Sequence, residues 1–377
     1  MRKFLAYSLL ALSLLACSQG GDGSLGSWPI FRGDPGLSGY ADVALPDNPA
    51  LLWTFVTGPR TVSSPVVKDG VTYWCDRRGK IHGVDLEGAE VFQADLATFV
   101  EATPTLKDSL LYIGTIDGSM IALSLESGRE IWRFDTEGQL SAAPNRVRFN
   151  GREALVFGSY DNWLYCVDAA DGSLISRYES GYYLNGAVAL QGESMLFGGC
   201  DQWVRVIDCR SGVQTDSLLL DAYIPASPAV VGNMAYVGDY GGNLYALRLK
   251  DGKIAESRKI RRPAEQEEGF NSVPAVDKER VYIINGNRTV LAIRRADGEL
   301  EWKKMLKGGT GESSPLVCRD KLVACTKTGI VSILDKKTGE VLWEYDTGED
   351  IISSPAVVPG RLLVLTAKGT LFCFGDN

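Results

Sequence analysis

From residue 50 onward the chain alternates short apolar runs of four to six residues with turn residues. Residues 103–136 show the grammar: Thr103-Pro104-Thr105-Leu106, a turn at Lys107-Asp108-Ser109, then Leu110-Leu111-Tyr112-Ile113-Gly114. An Asp117-Gly118 turn leads to Met120-Ile121-Ala122-Leu123, and Ser127-Gly128 leads to Glu130-Ile131-Trp132-Arg133-Phe134. Short β-rich runs joined by Asp-Gly or Ser-Gly turns read as hairpins, four strands to a unit. No helical periodicity appears after the first apolar run.

The unit repeats. A small residue followed by Pro recurs at Ser64-Pro65, Thr103-Pro104, Ala143-Pro144, Ser227-Pro228, Val273-Pro274, Ser314-Pro315 and Ser354-Pro355. The spacing is about 40 residues, and Asn185-Gly186-Ala187-Val188 fills the one double gap, with Ala187 where Pro would stand. A fixed period of about 40 marks a propeller or solenoid, and four antiparallel strands per period mark propeller blades. The sequence therefore predicts an all-β, eight-bladed β-propeller. The last unit supplies only three strands, whereas Ala50 to Val56 reads as a fourth strand with no third before it. Residues 50–56 are expected to complete the C-terminal blade and close the ring, which removes exposed sheet edges. Fourth-strand Trp residues, Trp53, Trp132, Trp302 and Trp343, are expected to seal neighbouring blades.

The N-terminus reads as three parts: residues 1–16 a lipoprotein signal peptide, 17–27 a flexible tether, 28–377 the propeller. Arg2 and Lys3 precede an apolar run too short to span a bilayer, and the run ends in Leu14-Leu15-Ala16-Cys17, which resembles a bacterial lipobox with Cys17 as the lipid acceptor. By the same resemblance Ser18 points to the outer membrane. The Gly/Ser-rich stretch after Cys17 spans on the order of 17 Å. Net charge is −8, or about −10 once residues 1–16 are removed, which argues against nucleic acid as a partner.

Catalytic chemistry is sparse. His82 is the single histidine, so neither a multi-His metal site nor a second catalytic histidine is available. No phosphate cradle is present. Seven cysteines follow Cys17, an odd number; most are expected to be small, reduced core residues, with a disulfide left open. Loops between blades and between second and third strands share one face, which collects Arg60, Phe99, Tyr182, Tyr183, Tyr223 and several acids. Trp163 and Trp203 occupy matching places in consecutive units. The polar inter-blade segment 261–270 is longer than the rest and is expected to protrude.

The repeats resemble PQQ-type propeller repeats, found in quinoprotein dehydrogenases and in outer-membrane assembly lipoproteins. The matching residues are fourth-strand signatures such as Leu334-Asp335-Lys336-Lys337-Thr338-Gly339-Glu340-Val341-Leu342-Trp343, and Trp28-Pro29-Ile30-Phe31-Arg32-Gly33 resembles the opening of many bacterial members. The quinoprotein branch implies PQQ, but its adjacent cysteines have no counterpart here, nor does a Cys-x-x-Cys-His haem site. The assembly branch implies docking of a barrel-assembly partner through a Leu- and Arg-containing inter-blade loop. The nearest segment, 179–186, has Leu184 and no Arg.

These observations favour a non-catalytic periplasmic scaffold without cofactor or metal, held in the envelope by lipid, with protein partners in envelope assembly. Its candidate partner-binding residues are Tyr182, Tyr183, Leu184, Trp163, Trp203, Arg60 and Phe99. Two alternatives stand beside it: a PQQ-dependent periplasmic oxidoreductase, and a propeller that binds glycan or a small ligand with Trp163 and Trp203 as stacking platforms.

Overall fold

The computed structural model describes residues 26–262 and 268–376. Cys17, the signal peptide and almost all of the tether lie outside the described residues, as does the centre of the 261–270 segment.

Thirty-two strands form eight four-stranded antiparallel sheets. In chain order the blades cover residues 66–95, 105–135, 145–179, 189–219, 229–261, 275–305 and 316–346. The eighth combines residues 356–375 with the N-terminal strand Ala50–Val56. That strand pairs antiparallel with Thr370–Gly375, from Ala50 opposite Gly375 to Val56 opposite Thr370. No described residue is helical, so no helix is long and apolar enough to cross a membrane.

The recurring Gly and Trp belong to one joint. The Trp of one blade lies on the glycine of the next blade's turn between third and fourth strands. A Cβ on Gly172 would stand 2.6 Å from Trp132, one on Gly339 would stand 2.5 Å from Trp302, and one on Gly88 would stand 3.0 Å from Trp53. Those glycines also have φ near +74°, +73° and +91°, a conformation that penalises any side chain. Each indole N–H donates across the seam: Trp53 to Leu86 O at 2.8 Å, Trp132 to Ala169 O at 3.0 Å, Trp302 to Lys336 O at 3.1 Å. Trp343 has no such turn ahead of it, because the third and fourth strands of the eighth blade, Thr370–Gly375 and Ala50–Val56, are not consecutive in the chain. It packs edge-on against Phe374 instead, with ring centroids 5.2 Å apart.

The Ser/Thr-Pro repeat has an equally local cause. The hydroxyl of one blade accepts the N–H of the blade before it: Ser64 N to Thr103 Oγ1 at 2.8 Å, Val273 N to Ser314 Oγ at 3.0 Å, and across the closure Ser354 N to Ser64 Oγ at 3.0 Å. The Pro that follows begins the innermost strand, where a missing N–H costs no ladder bond.

One feature is not legible as a strand. Residues 28–43 run as a belt beneath the channel and bond to the innermost strands of six blades. Trp28 and Val67 exchange both backbone bonds at 2.8 Å. Leu106, Leu190, Val230, Val276 and Val317 then donate to Pro29, Pro35, Gly36, Ser38 and Gly39 respectively, at 2.7–2.8 Å. Arg32, 1 % exposed, is buried in this belt and donates from Nη2 to Pro274 O at 3.2 Å, while its Nε and Nη1 find no partner among the described residues. Burial pushes its guanidinium down to about 9, against the opposing pull of Asp34. A methyl group on Gly39, whose φ is +63°, would overlap the Arg32 guanidinium. The belt's opening residues, Trp28 to Gly33, are among those that carry the family resemblance, beside the fourth-strand signatures.

All seven cysteines after Cys17 are unpaired. Six are buried, and Cys200 alone is partly exposed. Burial raises the buried thiols; Cys318, Cys325, Cys166 and Cys373 are each pushed up to about 12.

Candidate partner-docking face

Turns between second and third strands lie on the same face as the crossings from one blade to the next. A backbone bond ties each such turn to the preceding crossing: Arg77 N to Arg60 O, Ile116 N to Phe99 O, Tyr160 N to Gln139 O and Tyr240 N to Tyr223 O, at 2.8–3.0 Å. Arg60, Phe99, Gln139 and Tyr223 therefore occupy equivalent places around the ring, and Tyr183 joins them because Leu184 N bonds to Ser159 O as Ile224 N bonds to Gly199 O. The opposite arc carries Gly269, Thr310 and Asp350 at those places, bonded in the same way to Gly286, Lys327 and Ala367. The face is thus aromatic over blades three to five and small or polar across from them.

Within the aromatic arc, Tyr160 stacks on Tyr183 with centroids 5.0 Å apart and planes 8° apart. Tyr223 stacks on Tyr240 at 4.5 Å and 18°. Cys200 borders the first pair, its Sγ 4.0 Å from the Tyr183 hydroxyl. The contact with Cys200 and the company of neighbouring phenols raise Tyr183 above the ordinary tyrosine value. Partial desolvation, with the Tyr240 contact second, raises Tyr223. Tyr160, Tyr182, Tyr183, Tyr223 and Tyr240 are 38–53 % exposed, and Phe99 reaches 61 %. A row of stacked, rigid phenols exposed to solvent is the composition of a contact surface, since such rings bury area at low entropic cost.

The remaining candidates divide. Tyr182 and Tyr183 stand on the row, and Arg60 is exposed at the equivalent place between blades eight and one. Leu184 does not share their exposure: it is 4 % exposed and packs over Gly158 as a wedge beneath the tyrosines. As a surface contact it is corrected to a support, because its apolar side chain gains more in the seam than in water. Trp163 is covered by Arg177, whose guanidinium carbon lies 4.3 Å from the ring centroid, so that face is not free to stack on a sugar. Trp163 stands opposite Glu179 and Trp203 opposite Leu219, at matching places at the start of the third strands of blades three and four. Asp161 braces the row from below, accepting from Tyr165 Oη at 2.8 Å, Trp163 N at 3.0 Å and Glu137 N at 3.1 Å.

Two acids of this face are neutralised. Glu101 pairs with Arg77 at 3.1 Å and Glu312 with Lys327 at 2.8 Å. The surface is less acidic than its sequence reads. Sequence reasoning missed Tyr160, Cys200 and Tyr240, although their spacing of 40 residues matches the repeat and would have placed them together.

The channel opens on this face. Its cavity of about 240 Å³ has Phe31 of the belt among its lining, with hydroxyls of Ser64, Thr103 and Ser314 and the carboxylates of Glu101 and Glu312. PQQ is a quinone bearing three carboxylates. No basic side chain lines the cavity, and the cations beside its two carboxylates, Arg77 and Lys327, are already taken by Glu101 and Glu312, so the lining does not fit it.

The family profile described as outer membrane protein assembly factor BamB matches residues 41–179, 125–315 and 289–375. The assembly factor BamB of Salmonella typhimurium is 23% identical over 408 aligned positions, covering 99% of this chain and 98% of that one. The BamB of Shewanella oneidensis is 22% identical over 270, covering 71% of this chain and 59% of the relative's length. The crystal structure of BamB from Moraxella catarrhalis superposes with a TM-score of 0.73 at 17% identity, covering 87% of this chain and 98% of that chain. Repeat, closure and profile agree: the chain belongs to the family of the outer membrane protein assembly factor BamB.

Proposed function

We propose that the protein is a non-catalytic, lipid-anchored scaffold of the cell envelope that docks a protein partner in outer-membrane protein assembly. The observation that carries this reading is the exposed double stack, Tyr160–Tyr183 and Tyr223–Tyr240, on a rigid ring. Membership of the family supports the pathway, and the lipobox at Cys17 supports the anchor, with the propeller facing the periplasm from the outer membrane. The partner lays an apolar or aromatic edge along the phenols, while Tyr182, Phe99 and Arg60 extend the contact at its margins. Leu184 supports the row from beneath, and Trp163 and Trp203 stand at the start of the third strands of blades three and four. The channel lining gives no support to a quinone-dependent reaction.

The test is photo-crosslinking in the native envelope from position 182, followed by mass spectrometry. A component of the outer-membrane assembly machinery is expected. The double substitution Tyr183→Ser with Tyr223→Ser should abolish capture while the melting temperature holds. Undiminished capture by that variant refutes the docking face. Capture of nothing from the assembly machinery refutes the pathway. Cys17→Ala should release the protein from the membrane fraction.

A further inference from the structure

A second opening lies on the other face, between blades five and six, where the Trp joint is broken. In blade six Trp302 stands opposite Ala292, beside Tyr282, and donates to Lys336 O. The corresponding set in blade five is Ala246, Tyr236 and, in place of the indole, Arg258 opposite Ala246. Arg258 still reaches the corresponding carbonyl of the next blade, Arg295 O, but only at 3.5 Å, with Ala296 O at 3.4 Å. A guanidinium on a thin stem satisfies that carbonyl without filling the volume of an indole. What remains is a cleft of about 910 Å³ lined by Met234, Tyr236, Ala246 and Arg258, within the size range of ligand pockets.

The charge of the cleft runs against that of the chain. Arg248, Arg258, Lys278, Arg294 and Arg295 line it against Glu256, Glu279 and Glu301, an excess of two cations in a protein of net charge −8, and Glu279 and Glu301 are held by Arg280. Three of these cations are spoken for. Arg248 pairs with Glu256 at 2.8 Å, Arg294 pairs with Asp297 at 3.0 Å, and Arg295 is held by the Tyr236 hydroxyl at 2.8 Å and Asp277 O at 2.6 Å. Arg258 and Lys278 make no ion pair among the described residues. An apolar slot of aromatic size thus adjoins two cations that lack a carboxylate.

We infer that this cleft binds an aromatic ring with a carboxylate beside it, presented by a peptide segment of a partner protein. The ring takes the place of the missing indole against Tyr236 and Ala246. The carboxylate, from a neighbouring acidic side chain or from a chain terminus, lies between Arg258 and Lys278, where a charged hydrogen bond to guanidinium is stronger than a neutral one. The site is independent of the tyrosine row, which is built from the opposite ends of the strands.

Isothermal titration calorimetry with three probes tests this: N-acetyltryptophan, N-acetyl-Trp-Glu-amide, and N-acetyltryptophanamide, which lacks a carboxylate. One or both carboxylate probes are expected to bind at least about tenfold more tightly than the amide. Binding of the first alone assigns a chain terminus, and binding of the second alone assigns an internal acidic residue. Arg258→Trp should refill the slot and abolish binding with the melting temperature retained or raised. Arg258→Met should keep the slot and erase the preference for a carboxylate. Tyr183→Ser with Tyr223→Ser should bind as the parent does. Absence of binding by both carboxylate probes at millimolar concentration, equal binding of the amide, or unimpaired binding by Arg258→Trp overturns the inference.

Discussion

A glycine and an indole 35 to 40 residues apart behave as one part of this molecule. Trp132 is the best buried of the seam tryptophans, 8 % exposed, with its N–H bonded to Ala169 O. Truncation to Ala leaves a cavity and removes one of the two bonds to Ala169 O, the other coming from the Tyr112 hydroxyl at 3.1 Å, and should cost about 3–5 kcal/mol in chemical denaturation. Trp343 is half-buried and bonds to no carbonyl, so Trp343→Ala should cost less; equal losses would show that the seam bond is not what distinguishes them. Ionic seams behave differently. Asp277 of blade six meets Lys336 of blade seven at 2.8 Å. Burial alone would raise the Asp277 carboxyl, but the Lys336 bond and the amides of Glu279 and Arg280 outweigh it and hold the group below its usual 3.8. A depressed carboxylate stabilises the fold above its unfolded value and loses that contribution as pH falls through the folded value. The loss therefore lies below pH 3.8. Melting curves from neutral pH into this acid range should fall less steeply for Asp277→Asn than for the parent. That variant should also start about 1–3 kcal/mol lower at neutral pH, because Lys336 is left partly buried and unpaired. Thiol chemistry gives a third measurement. With six cysteines buried and Cys200 alone partly exposed, a thiol reagent should label one site in the native protein from residue 18 onward and seven after denaturation.

At the scale of the strand, the hairpins show which features the chain states locally. Strand runs, turns and the missing fourth strand of the last blade were all legible, because alternation and Gly turns are properties of neighbouring residues. The closing strand falls where the sequence puts it, Ala50–Val56. A bulge recurs at the same depth in the third-to-fourth pairings of every blade but the fifth, for example between Ala122 and Leu123, between Ala292 and Ile293, and between Ile333 and Leu334; in blade five it falls two residues on, between Arg248 and Leu249, with a second between Leu244 and Tyr245. The closing blade carries it too, between Leu51 and Trp53, although no turn joins those two strands. The bulge is therefore not a by-product of turn length. It adds the local twist that aims the Trp side chain at the next blade. Deleting Leu52 should remove it, misalign Ala50 and Leu51 against the last strand, and lower the melting temperature; an unchanged value would return the bulge to the turn. What the sequence did not disclose is where rings meet. Tyr160 and Tyr183 belong to different loops 23 positions apart, and Leu184 looks no different from its exposed neighbours until the seam over Gly158 is seen. Likewise Arg258 reads as one more charge on an outer strand until its place opposite Ala246 shows which residue it replaces.

For the ring as a whole, two devices oppose opening, and they can be separated. Closure by residues 50–56 joins the N-terminal strand to the C-terminal blade, so that Thr370–Gly375 is not left as a bare edge. The belt of residues 28–43 works at right angles to this, lacing the innermost strands of blades one, two, four, five, six and seven by backbone bonds that no side-chain substitution removes. A propeller is a cyclic array in which each blade contacts only its neighbours, so loss of one junction exposes two faces at once. Removal of residues 28–43 should leave a closed, monomeric ring with a lower melting temperature, since the belt adds stability without being part of the circuit. Removal of residues 28–56 takes away the circuit as well, and should give a chain that associates through the bare edge of Thr370–Gly375 and the uncovered seam on blade one. Light scattering after size exclusion separates the two outcomes. A monomer that melts like the parent after the longer deletion would mean that the remaining three strands of blade eight suffice. A shorter deletion that already aggregates would mean that the belt, and not the shared blade, holds the circle shut.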